Sequence, residues 1–192
     1  MMTLMVAQCP REASAPEQRA TAQRLLRLGL ERDFGVRPTE IALERNSFGK
    51  PRLCGRPGVH FNIAHCRRAV AVLVSDRPVG VDVEAVRGRD AYVAARCFDS
   101  SERAQVEAAA DPDREFFRYW TLKESYVKAL GCGLSYPLRG ICFEVSGAGE
   151  PESNKPQAGF RLVDDFPAVV IALCWLRQQG RSAQSDLVHV EW

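Results

Sequence analysis

The chain has 192 residues, 46% hydrophobic and 26% charged, with a formal net charge of +2: ample material for a core, and too little positive charge for the basic stripe of a nucleic-acid binder, though compatible with an acidic or phosphorylated partner. Its seven cysteines are scattered and form neither CxxC nor a Cys/His cluster, which argues against a disulfide framework or zinc site and predicts reduced thiols in the cytoplasm. No apolar run approaches the roughly 18 residues of a membrane span, and Met1 to Pro10 is too short for a secretory leader.

Ser14 to Arg32 starts with an N-cap Ser, Pro16 in the first turn and Glu17 placed to complete a capping box, so an amphipathic helix is predicted there. Leu25, Leu26, Leu28 and Leu30 supply its apolar side; Arg19, Arg24, Arg27 and Arg32 are mostly solvated, with some able to reach an anion. Ile41 to Glu44 reads as a short strand, and Phe48 to Leu53 as a turn exposing Lys50 between Gly49 and Pro51. Val59 to Ile63 alternates as a strand, leaving His65 just past its end.

Two β-branched runs, Ala69 to Val74 and Val79 to Val83, are joined by a short Ser-Asp-Arg-Pro connection and are expected to form an antiparallel hairpin. In the second run Val79, Val81 and Val83 share one face, so Gly80, Asp82 and Glu84 share the other, the two carboxylates about 7 Å apart. Taken alone, such a pair more often comes from a solvated face at the strand's end than from a site. If a metal is bound, oxygen-only ligands favour Mg²⁺ over Zn²⁺.

Asp99 to Glu102 carries another N-capping signature, followed by a short alanine-rich helix and a polar break at Ala110 to Asp113. Tyr119 to Leu134, YWTLKESYVKALGCGL, is then predicted as a helix ended by Gly131 and Gly133. Its apolar arc runs through Phe116, Tyr119, Trp120, Leu122, Tyr126, Val127 and Leu130. Glu124 and Lys128 fall just beyond the arc's edge, one turn apart, while Lys123 projects into it. Strands are expected at Ile141 to Val145, Phe160 to Val163, Val169 to Trp175 and Leu187 to Val190, with Ser146 to Gly159 a flexible loop rich in Gly, Pro, Glu and Ser.

The combination of FGKP at Phe48 to Pro51, FNIAH at Phe61 to His65, GVDVE at Gly80 to Glu84 and WTLKESYVKALGCGL at Trp120 to Leu134 resembles the 4′-phosphopantetheinyl transferases of the surfactin-synthetase-activating type. The resemblance covers about residues 14 to 145. It implies an α/β (α+β) fold of two similar small lobes with pseudo-twofold symmetry, each a mainly antiparallel sheet packed with helices, residues 1–78 and 79–192, with the active cleft between them in a monomer. It implies coenzyme A as cosubstrate, Mg²⁺ (or Mn²⁺) as cofactor, and an acyl or peptidyl carrier protein of fatty-acid, polyketide or nonribosomal-peptide biosynthesis as partner.

By the same resemblance Asp82, Glu84 and Glu124 are the metal-binding acids and Lys128 contacts the coenzyme A diphosphate. Lys50 and His65 match coenzyme A contacts, and Arg19 is a looser match. The family commonly carries a hydroxyl residue at the position of Ala64, which leaves a backbone N–H as the remaining contact there. The chain also starts late relative to longer members, so the resemblance carries over no contacts from their extreme N-terminal segment. The implied reaction moves phosphopantetheine to a carrier serine, with Asp82, Glu124 and Lys128 as catalytic groups and Glu124 as proton acceptor. Two other classes stay open at this point, a noncatalytic coenzyme A or carrier-protein binding module and a Mg²⁺-dependent nucleotide phosphohydrolase. The chain has neither a P-loop nor GxSxG.

Overall fold

A computed structural model describes residues 1–146, 150–163, 166–177 and 187–191. The chain opens with a strand that was not expected, β1 (Met2–Gln8). It has no alternation because both its faces are covered: Leu4 and Val6 point into one apolar cluster, Met5 and Ala7 into another, and a doubly buried strand reads as a continuous apolar run. Helix α1 (Ala15–Phe34) follows, its capping box of Ser14 and Glu17 formed as expected, and ends at Gly35 in the left-handed conformation. Strands β2 (Leu43–Arg45) and β3 (Pro51–Leu53) pair around the Asn46–Lys50 turn. Then come β4 (His60–His65), which includes His65 as its last residue, β5 (Ala69–Ser75) and β6 (Val79–Ala85).

The expected hairpin between β5 and β6 does not exist. β5 already has β1 on one edge and β4 on the other, so it has no edge left, and β6 pairs instead with a strand near the C-terminus. The Ser-Asp-Arg-Pro connection therefore carries the chain from one sheet to the next.

Helices α2 (Ala91–Cys97), not anticipated, and α3 (Ser100–Ala108), capped by Asp99 and Glu102, lead to α4 (Pro112–Leu130). α4 begins two turns earlier than the expected Tyr119 and stops at Gly131, which adopts φ 70°. Short strands β7 (Phe143–Glu144) and β8 (Glu152–Ser153) pair with each other, so the expected loop from Ser146 to Gly159 is partly ordered by pairing; residues 147–149 of it lie outside the described residues. β9 (Ala158–Val163), β10 (Val169–Leu176) and β11 (Leu187–Glu191) complete the order.

The three-stranded unit β1-β5-β4 has the same connectivity as β6-β10-β9. In each, a first strand leads through a helix to a second strand, and a third strand inserts antiparallel between them. These are the two similar halves. β11 adds to the first sheet, parallel to β1. The two sheets pack face to face through Leu4, Val6, Leu73, Val81, Val83 and Ile171, α1 covers the outer face of the first through Met5, Leu25, Leu26 and Val72, and α4 covers the outer face of the second through Phe117, Leu122, Tyr126 and Ala172. The result is a helix–sheet–sheet–helix stack. Among the described residues, no helix is long and apolar enough to cross a membrane.

Candidate active site

The alternation along β6 turns Gly80, Asp82 and Glu84 toward α4. At Gly80 the two backbones almost touch: a Cβ there would lie 2.0 Å from Ser125 O and 2.4 Å from Ala129 N. Only a residue without a side chain permits this approach. The approach in turn brings Lys128 Nζ to 2.5 Å from Asp82 Oδ1. Gly80→Ala forces strand and helix apart, because the obstructing atoms are backbone and cannot rotate away. We expect it to cost about 1–3 kcal/mol of stability, in the range of overpacked cores, and to lower activity further by lengthening the Asp82–Lys128 contact. Chemical denaturation and a rate measurement on the folded fraction check both.

Asp82 is 5% exposed and Glu124 9% exposed, yet Asp82 Oδ2 and Glu124 Oε1 have no hydrogen-bond partner. Buried carboxylate oxygens left without donors cost free energy. Burial pushes the Asp82 carboxyl upward against the opposing pull of Lys128. Burial, together with the charges of Asp82 and Glu84, pushes Glu124 up to about 7. Glu84 lies close enough to add to that repulsion, but its Oε2 is held by Arg87 Nη1 at 2.8 Å. Thus the structure brings Asp82, Glu124 and Lys128 together, with Glu84 beside them and turned to Arg87. Among the described residues no group of three His, Cys, Asp or Glu side chains stands arranged to hold a metal ion. The two partnerless acid oxygens nevertheless fit a hard cation, which is bound through carboxylate oxygens and water.

Glu124 and Lys128 line a cavity of about 290 Å³ with Phe48, Lys50, Pro51, Asn62 and Gly133, drawing its walls from both halves. Lys50 differs from the expectation of an exposed turn residue. Its ammonium points inward and donates to Val79 O (2.9 Å), Lys128 O (2.5 Å) and Ala129 O (3.2 Å). Burial pulls it down to about 8, which leaves it protonated at neutral pH. His65 is exposed at the end of β4 and Arg19 is exposed on α1; neither lines this cavity. Gln18 Nε2 donates to Cys66 O at 3.2 Å, which sets the α1 turn carrying Arg19 beside the turn that follows His65. Ala64 is buried among the apolar residues between the sheets.

Three contacts were not singled out from the sequence, two at the site and one apart from it. Asn62, buried in β4, accepts the Val81 N–H at 2.8 Å and so ties β4 to β6 beside Asp82; an amide between apolar neighbours in a strand was the available signal. Asn46 Nδ2 donates to Gly131 O at 2.8 Å, across the end of α4. Glu102, read only as a cap, forms a fully buried ion pair with Lys123 at 2.8 Å.

Residues 78–174 match the family model of the 4′-phosphopantetheinyl transferase superfamily. The chain is 30% identical over 158 residues to 4′-phosphopantetheinyl transferase Sfp of Bacillus subtilis (strain 168), covering 78% of this chain and 70% of that protein. It is 36% identical over 123 residues to the L-aminoadipate-semialdehyde dehydrogenase-phosphopantetheinyl transferase of Xenopus laevis, covering 55% of this chain and 40% of the relative. Among solved structures, it is similar to the holo-[acyl-carrier-protein] synthase of Thermotoga maritima, with a TM-score of 0.45 and 24% identity over 53% of this chain and 64% of that one. The matched span runs from the start of β6 through α4 to β10 and so contains Asp82, Glu84, Glu124 and Lys128, and with these matches the chain belongs to the 4′-phosphopantetheinyl transferase superfamily, as an enzyme of Sfp type.

Proposed function

We propose that this transferase moves the 4′-phosphopantetheine of coenzyme A to a serine of an apo acyl or peptidyl carrier protein, releasing adenosine 3′,5′-bisphosphate. The observation that carries the reading is the buried, partnerless Glu124 Oε1 at a cavity that Glu124 lines together with Lys128, with the partnerless Asp82 Oδ2 on the carboxylate that Lys128 contacts. Asp82, Glu124 and, after release from Arg87, Glu84 would hold Mg²⁺ or Mn²⁺, which when bound draws charge from the diphosphate. The serine oxygen forms a bond to the pantetheine-side phosphorus, and the bond from that phosphorus to the bridging oxygen breaks. The bridging oxygen leaves with adenosine 3′,5′-bisphosphate. Glu124 is placed to accept the serine proton, since a bound cation would offset the burial and the neighbouring acids that hold it near 7 in the metal-free protein, and Lys128 balances charge on the departing phosphate.

His65 and Arg19 are assigned to the coenzyme A side, apart from the reacting atoms. The halves 1–78 and 79–192, the second of which lends β11 to the first sheet, serve as two lobes around one cleft, a reading supported by the cavity that takes Phe48 and Pro51 from the first and Glu124 and Lys128 from the second; a cytoplasmic monomer is part of the proposal. Incubation with coenzyme A, Mg²⁺ and a panel of apo carrier proteins, read by intact-protein mass spectrometry, tests the reading: one phosphopantetheine added per carrier is expected. Phosphate release without carrier modification would show a phosphohydrolase instead. His65→Ala and Arg19→Ala are expected to raise the KM for coenzyme A several-fold with kcat little changed, and an unchanged KM in both would remove them from the binding site.

A further inference from the structure

The C-terminal turn of α4 presents carbonyls that have no partner within the helix, and it is also the turn from which Lys128 reaches Asp82. Two side chains from the Asn46–Lys50 turn, in the other half of the molecule, supply the missing donors. Lys50 Nζ serves Lys128 O and Ala129 O, and at the same time Val79 O at the start of β6. Asn46 Nδ2 serves Gly131 O, while its Oδ1 accepts the Phe48 and Lys50 N–H groups and fixes the turn. A cation beside a helix C-terminus is also favoured by the helix dipole. Lys50 thus bonds to both elements whose separation Gly80 keeps at its minimum, directly behind the Lys128–Asp82 pair.

We infer that Lys50 is a positioning residue, which clamps the last turn of α4 onto β6 and thereby sets Lys128 against Asp82, and that its ammonium is not a ligand of coenzyme A. The inference rests on the transferase reading for its kinetic consequence only. Lys50 lines the cavity, but its Nζ donates to three backbone oxygens of the protein, one for each of its protons, which leaves none for the diphosphate or the ribose phosphate. Removing it leaves those oxygens without donors and frees the turn that carries Lys128.

The test compares Lys50→Met, which keeps the stem and removes the donors, with Lys50→Arg, which restores donors and charge. In Lys50→Met, kcat for phosphopantetheine transfer is expected to fall about 10- to 100-fold, with the KM for coenzyme A within about threefold of wild type and substantial recovery in Lys50→Arg; each tenfold corresponds to about 1.4 kcal/mol. Combined with Lys128→Met, the two losses are expected to be strongly non-additive, as for groups acting through one contact. Amide hydrogen exchange at residues 128–131 is expected to accelerate in Lys50→Met relative to the rest of α4, and this readout needs no turnover. A KM raised tenfold or more with kcat unchanged, or unchanged exchange at residues 128–131, overturns the inference while leaving the transferase reading intact. If the wild-type chain transfers nothing, that reading fails and the exchange experiment alone decides the clamp. Should Lys50→Met not fold, Asn46→Asp, which loses the donor to Gly131 O but keeps the acceptor for the turn, is expected to show the same kcat loss and faster exchange at residues 128–131, and normal values of both overturn the clamp.

Discussion

Glu124→Gln is expected to stop phosphopantetheine transfer and yet make the metal-free protein more resistant to heat at pH 8. In the folded chain Glu124 stays protonated up to about 7 because it is buried near Asp82 and Glu84; unfolded, it ionises near its ordinary value of 4.5. With a folded-state value raised in this way, the unfolded state loses its proton first, so stability is full below about 4.5 and declines as pH rises through about 7. The ceiling on that decline from Glu124 alone is roughly 3 kcal/mol, from about 1.4 kcal/mol per unit, and the raised Asp82 adds to it in the same direction. A neutral amide removes the Glu124 share.

The wild-type melting temperature without divalent cation is therefore expected to drop between pH 5 and pH 8, the drop to be smaller in Glu124→Gln, and added Mg²⁺ to restore the wild type more than the variant at pH 8. Transfer in the variant is expected to fall on the order of a thousandfold, since under the proposed mechanism both a cation ligand and the proton acceptor are lost, worth several kcal/mol of transition-state stabilisation. Retained transfer would exclude Glu124 as the base. A variant less stable than wild type at pH 8 would show that the carboxylate is not under repulsion.

The largest effect on stability is expected at Lys123, which does not touch the cavity at all. Its ammonium is completely buried against Glu102 at 2.8 Å, donates to Leu138 O at 3.2 Å and to Ile141 O, and lies over the rings of Phe98 and Phe143. Glu102 in turn accepts N–H bonds from Asp99 (2.9 Å) and Phe143 (3.0 Å), so one ion pair ties α4, the start of α3 and the segment leading to β7. Lys123→Met strands the Glu102 charge in an apolar core, a change that costs about 3–5 kcal/mol when one member of a buried pair is removed. For a chain of this size that is a fall of roughly 6–20 °C in Tm. Lys123→Met/Glu102→Gln is expected to regain a large part of it. Turnover per folded molecule, measured well below Tm, is expected to stay close to wild type, and a much larger loss would give Lys123 a place in the chemistry.

Much of the site could be read from residue order because its parts lie on single elements. The period of two along β6 put Asp82 and Glu84 on one face, and the period of 3.6 along α4 put Glu124 and Lys128 one turn apart. Caps at Ser14 and Asp99 were equally readable, since each depends on residues three apart. What failed depended on partners distant in sequence. β5 and β6 look like a hairpin until β1, nearly seventy residues upstream, takes the edge that β6 would need. β1 itself was missed because its burial on both faces erases the alternation that marks a strand. Lys50 looked exposed between Gly49 and Pro51, and only the arrival of the α4 terminus gives its ammonium three acceptors. Lys123 stood out as a charge in an apolar arc, but its counter-ion Glu102 was already explained by capping, and nothing local shows that one carboxylate serves both purposes.

The repeated strand order has a stoichiometric consequence. Asp82 faces Ala172 across the second sheet and Met5 faces Val72 across the first; matched strand by strand, Met5 and Ala7 occupy the places that Asp82 and Glu84 hold in the other half. There the thioether and methyl groups pack against the apolar side of α1, with Leu25, Leu26 and Leu30. On its matching strand the first half therefore does not duplicate the acid set, and the proposed transfer gives one centre per chain, the repeat differing at all three helix-facing positions, Thr3, Met5 and Ala7 against Gly80, Asp82 and Glu84.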